Sequence, residues 1–167
     1  MSRPDVWLRG PVVGVPGLLQ PVSHALLQAL EDVERVMVGF SDQALWQRPG
    51  QAASVGFHLK HLIGATDRLL SYARGASLTE AQKTWLMLEP RDGDGGTDVA
   101  GLVSEFRAVI EAGLRQIATT DPGSLAQPLL IGRAGLATTV GGCLFHAAEH
   151  ASRHAGQLIT TVKALAR

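Results

Sequence analysis

Apolar residues recur at three- and four-residue intervals along four long stretches of the chain, the spacing of a helix with one buried face. In the first stretch Leu26, Leu27, Leu30, Val33 and Val36 lie between Pro21 and Val38. Pro21 suits a first helical turn, where its missing N–H would have no partner anyway, and Gly39 stands near the far end. The second stretch opens after Ser54, a good N-cap residue, and carries Val55, Leu59, Leu62, Ile63, Thr66, Leu69, Leu70 and Ala73 before Gly75 stops it. The third, 98–118, sets Leu102, Phe106, Val109, Ile110, Leu114 and Ile117 on one face. The fourth, 139–166, is the longest. Residues 78–88 read as a short helix with Thr79 as its cap, and 90–96 as a flexible link. Residues 41–50 form a connector holding Trp46 and Pro49. The stretch 121–137 reads as irregular, because Pro122, Gly123, Pro128, Gly132 and Gly135 interrupt it. With no convincing strand and no internal repeat, the expected fold is all-α, a four-helix bundle.

Residues 1–19 follow another rule. Pro4, Pro11 and Pro16 are interspersed with Gly10, Gly14 and Gly17, which forbids a regular helix. The segment reads as an extended arm, anchored by Trp7 and Leu8, ahead of a single bundle domain over 20–167.

Composition narrows the function. The chain has 167 residues, 46% hydrophobic and 18% charged, enough for one domain with a real core. Fifteen basic residues balance fifteen acidic ones, which excludes a strongly basic nucleic-acid binder and gives no reason to expect an anionic membrane partner. No apolar run approaches the ~18 residues of a membrane span, and the first residues lack the continuous apolar segment of a secretory signal. The single cysteine, Cys143, cannot form an internal disulfide, so the expected location is the cytoplasm.

Histidine supplies the candidate chemistry. Of six histidines, five fall in two short segments, GFHLKHLIG with His58 and His61, and FHAAEHASRHAGQ with His146, His150 and His154. Imidazoles four residues apart on a helix share a face and can grip one metal ion, with further ligands coming from a facing helix. At about 100° per residue, His154 lies nearest the buried stripe of its helix, His150 next, and His146 beside Arg153. The 54–74 helix is ambiguous. His58 sits closer to its apolar centre, while His61 shares a sector with Gly64 and Arg68, so periodicity favours His58. His24 reads as a boundary histidine, Cys143 as a small core residue, Glu149 as a surface charge, and Asp92 with Asp94 as a solvated loop rather than a calcium site.

These two segments resemble the DinB-like superfamily of metal-binding four-helix bundles. Ser54, His61 and Leu62 match its pattern of a capping Ser or Thr followed seven residues later by a ligand His and then Leu. His150, His154, Gly156 and Gln157 match its last-helix HxxxH with a Gly-Gln ending. The resemblance covers about residues 18–166. It implies an up-down-down-up bundle whose long crossover is 71–97, and three ligands, His61, His150 and His154, around one divalent metal ion. That choice runs against the helical wheel and requires the helix to be rotated or bent, for which Gly56 and Gly64 give room. His58 and His146 are then pocket or proton-transfer candidates.

Three histidines leave coordination positions open, as in catalytic sites, and suit zinc, nickel or iron. The resemblance implies a metal-dependent enzyme acting on a small molecule, of the thiol-dependent S-transferase or hydrolase type. A low-molecular-weight thiol would be the co-substrate. The alternative is a non-catalytic, stress-associated metal-binding helical dimer. A homodimer is expected on both readings, with Trp7, Trp46 and Trp85 as apolar material to cover.

Overall fold

The computed structural model describes residues 3–93 and 97–166. The described residues are mostly helical and contain five α-helices: α1 (Gln20–Met37), α2 (Val55–Ala73), α3 (Glu80–Leu88), α4 (Val99–Ala118) and α5 (Val140–Leu165). Four of them start at side chains that accept from an early backbone N–H: Ser54, Thr79, Asp98 and Thr139. These bonds satisfy donors that have no partner inside the helix. Before α3 the cap is reciprocal, since Gln82 Oε1 also accepts from the Thr79 N–H at 2.9 Å. Pro21 sits in the first turn of α1.

The core lies among α1, α2, α4 and α5. Leu26, Val33, Leu59, Leu62, Leu102, Phe106, Ile110, Ile117, Leu144 and Leu158 are fully buried there. α5 packs on α2 and α1, and α4 packs on the same two helices. Between Leu144 and Leu158 the inward face of α5 carries Ala147, Ala151 and Ala155, whose small side chains let its backbone approach its neighbours closely. That approach brings His150 and His154 within reach of α2.

Two short strands, absent from the sequence reading, depart from an all-α fold. β1 (Pro128–Ile131) and β2 (Leu136–Thr139) pair antiparallel, with Leu129 opposite Thr138 and Ile131 opposite Leu136. The glycines that made 121–137 look irregular form the turn: Gly132 and Gly135 have φ of 68° and 58°, a region strained for residues with a Cβ. Four residues per strand give too little alternation to register as a period, and Pro128 stands at the first strand position, where a missing N–H is tolerated. Thr139 ends β2 and caps α5, so the hairpin leads directly into that helix.

Other expectations are corrected by packing. Trp7 and Leu8 do not anchor the N-terminal segment; both are exposed, and Val6 and Leu19 are the buried residues. The segment contains two short 3-10 turns, Val6–Leu8 and Gly17–Leu19, and is held to α1 by polar bonds. Arg9 forms a two-pronged ion pair with Glu31 at 2.6 and 2.7 Å, and Gln28 accepts from the Val6 N–H at 2.8 Å. Trp46 and Trp85 are largely covered within the chain, which leaves Trp7 as the exposed tryptophan. Gly56 and Gly64 do not break α2, which is continuous. They make room for those rings: a Cβ on Gly56 would stand 2.6 Å from Trp46, and one on Gly64 2.5 Å from Trp85 Nε1. Asp92 pairs with Arg48 at 2.8 Å, while Asp94 lies outside the described residues.

Candidate metal centre

His61 on α2 and His150 and His154 on α5 converge, each offering one ligand atom within 4.8 Å of the others. Nε2 of His61 lies 2.8 Å from Nε2 of His150, and the His154 ring centroid is 4.4 Å from both other rings. His150 and His154 are one turn apart on α5 and face α2 together, as their spacing dictates. Nitrogens bound at about 2.0–2.1 Å to one ion stand roughly 3 Å apart, close to the separation of His61 and His150. A nearby imidazole nitrogen, His154 Nδ1, is buried with no hydrogen-bond partner. An all-imidazole donor set of this kind fits a divalent transition metal or zinc.

Protonation favours the same use. Burial first, and the neighbouring His61 second, push His150 and His154 down to about 4. Both are therefore neutral near pH 7, the form that binds metal. His58 is also held below the ordinary histidine range by burial and then by His61.

His61 is fixed on two sides. Its ring stacks on Phe57, with centroids 5.6 Å apart and planes 6° from parallel. Its Nδ1 bonds Glu89 at the C-terminal end of α3, and Arg68 Nη1 donates to the other Glu89 oxygen at 2.7 Å. Burial alone would raise the Glu89 carboxyl, but the bonds from His61 and Arg68 outweigh it and hold it below the usual carboxylate range. α3 is pinned over α2 by further bonds. Lys60 Nζ donates to the carbonyls of Leu88 and Arg91 at 2.6 and 2.9 Å, and Trp85 Nε1 donates to the Lys60 carbonyl at 3.0 Å.

The helical wheel and the geometry answer different questions. His58 is the more buried residue, 6% exposed, as periodicity indicates, yet the cluster is made with His61. His61, only partly buried, is the α2 histidine whose Nε2 reaches His150 across the α2–α5 contact. His58 instead lines a cavity of about 620 Å³ with Phe57, His154, Gln157 and Arg153. His146 is exposed and bonded to Glu149 at 3.1 Å, with its ring centroid 5.3 Å from that of His150; it does not line that cavity. Glu149 also pairs with Arg153 at 2.9 Å, as a surface charge would. His24 sits on α1 with Nε2 3.1 Å from the Gly10 carbonyl, away from the cluster. Cys143 is a buried core residue, and burial raises its thiol.

Sequence reading missed Glu89 and the role of Arg68. Glu89 precedes Pro90 in what looks like a loop, and nothing local marks it as buried. The available signal was Arg68, seven residues from His61 in the same helical sector, a cation placed where a carboxylate had to meet it.

Residues 25–158 match the sequence profile of the DinB superfamily. Among solved structures, the crystal structure of a conserved protein from Enterococcus faecalis is similar with a TM-score of 0.72. It is 16% identical, and the match covers 89% of this chain and 97% of that one, a likeness of fold. No curated protein matches the chain. Among the described residues no helix is long and apolar enough to cross a membrane.

Proposed function

Because the chain belongs to the DinB superfamily through residues 25–158, we propose that His61, His150 and His154 hold one divalent metal ion, zinc, nickel or iron, and that the centre acts on a small molecule. The observation that carries this reading is the convergence of three imidazoles from two helices on ligand atoms within 4.8 Å. The four long helices then form the superfamily's up-down-down-up bundle, with the segment bearing α3 as its crossover. A divalent ion held by neutral ligands supplies a positive charge that acidifies a bound water or thiol. We read the activity as thiol-dependent S-transfer or hydrolysis.

The chain's own residues have separable parts in this. His61, His150 and His154 bind. His154 also faces the cavity lined by His58 and Arg153, so a small molecule seated there lies against a ligand of the metal. His58, buried and kept neutral, is the proton-transfer candidate on the inner wall. The Arg153 guanidinium at the exposed rim suits an anionic group on the substrate.

Elemental analysis of protein purified without a His-tag or added metal is the first test. One divalent ion per chain is expected, lost in His61→Ala, His150→Ala and His154→Ala and retained in His24→Ala. A site emptied by His58→Ala but filled in His61→Ala would overturn the ligand set. Turnover of an electrophile with bacillithiol, mycothiol or glutathione then tests the transferase reading.

A further inference from the structure

Glu89 is costly where it stands. It is the C-cap of α3, and the C-terminal end of a helix disfavours negative charge. It is 4% exposed, and a buried carboxylate is tolerated only with charged or hydrogen-bonding partners. The end of α3 does not need it, because Lys60 already donates to the carbonyls of Leu88 and Arg91. Both Glu89 oxygens are instead committed to residues of α2, one to His61 Nδ1 and one to Arg68.

We propose that Glu89, held by Arg68, is a positioning residue that fixes His61 as the Nδ1–H tautomer with a bare Nε2 turned to His150, so that this ligand atom is arranged before any metal ion arrives. The role in metal binding rests on the reading above; the tautomer is a property of the protein alone. An ionised carboxylate only accepts, so the nitrogen facing it must carry the proton, and in a neutral imidazole the other nitrogen is then a bare acceptor. That acceptor, His61 Nε2, lies 2.8 Å from His150 Nε2. Two bare nitrogens would repel at this distance, so in the metal-free protein His150 carries its proton on Nε2, a proton it must release for that nitrogen to hold an ion. Its Nδ1 is then an acceptor, and Arg153 Nη2 approaches it at 3.4 Å. Glu89, His61, His150 and Arg153 thus form one chain with a consistent donor direction. Phe57, stacked on His61, opposes rotation of the ring. Carboxylates that orient metal-binding histidines in this way contribute to affinity about as strongly as a 10–100-fold effect.

Long-range nitrogen–proton correlation spectra of metal-free, ring-labelled protein read both tautomers. His61 is expected with its proton on Nδ1 and His150 with its proton on Nε2. Glu89→Leu should remove the His61 preference, weaken Co²⁺ binding about 10–100-fold and shift the visible Co²⁺ bands. Glu89→Gln keeps an acceptor without the charge, so it should retain the tautomer and bind Co²⁺ with intermediate affinity. Wild-type His61 protonated on Nε2, or a Glu89→Leu protein with unchanged tautomer and Co²⁺ affinity, would overturn the proposal. If Glu89→Leu loses its far-UV helical signal, the wild-type and Glu89→Gln spectra decide. Absence of Co²⁺ binding by the wild type would overturn the metal reading, while the tautomers would still decide the positioning role.

Discussion

At the residue scale, the histidine cluster has a thermodynamic signature even without metal. His150 and His154, at about 4 in the folded chain, return to about 6.5 when unfolded. Between those values the unfolded chain binds more protons, so stability is complete above about pH 6.5 and is lost as pH falls towards 4. After allowance for solvent screening the loss by about pH 5 is on the order of 1–2 kcal/mol. The chelated protein should therefore melt roughly 5 °C lower at about pH 5 than at about pH 7.5. A melting temperature independent of pH in that window would contradict the burial of these rings. Gly64 offers a second residue-scale check. A Cβ there would stand 2.5 Å from Trp85 Nε1 and 2.6 Å from Arg68 Nη1. Gly64→Ala should cost about 1–3 kcal/mol, read as a shift of the urea midpoint, and should weaken metal retention by displacing Arg68. The sequence made the burial of His58 legible, because burial follows the period of one helix. The partnership of His61 with Glu89 was not, because it depends on α3 folding back over α2, which no local period records.

The elements were easier to read where local chemistry decides them. Ser54 and Thr79 announce their helices as caps because each cap bond spans only a few residues, and the apolar period alone places the other two starts at Asp98 and Thr139, which also prove to be caps. The hairpin escaped notice because each strand is four residues long and its turn glycines resemble loop punctuation. α3 makes the energetic point. Nine residues of helix are marginal alone, so its Thr79–Gln82 capping box matters more than a cap on a long helix. Thr79→Ala should cost about 0.5–2 kcal/mol, seen as a melting temperature lower by roughly 2–6 °C. Because α3 delivers Glu89, the same variant should bind Co²⁺ more weakly despite lying outside the histidine cluster.

For the whole molecule, the core is formed mainly by side chains of α1, α2, α4 and α5, with Leu19 and Leu45 from the connecting segments, and contains none of the cluster's three histidines. The protein should therefore keep its helical far-UV signal when chelated and lose only the stability that ligand binding adds, about 2.7 kcal/mol at a hundredfold excess of free metal over Kd. Collapse of the helical signal on chelation would place the metal within the folding core instead. The contacts described between α3 and α2 are mainly polar, with Trp85 as the large apolar one, so this helix is a natural unit for opening while the rest stays folded. Each opening withdraws Glu89 from His61. By reciprocity, whatever α3 contributes to holding the ion, the ion returns to α3 as resistance to opening. Amide hydrogen exchange along Glu80–Leu88 should slow on metal addition by the same factor by which detaching α3 weakens binding, making this short helix a gauge of occupancy readable without any substrate.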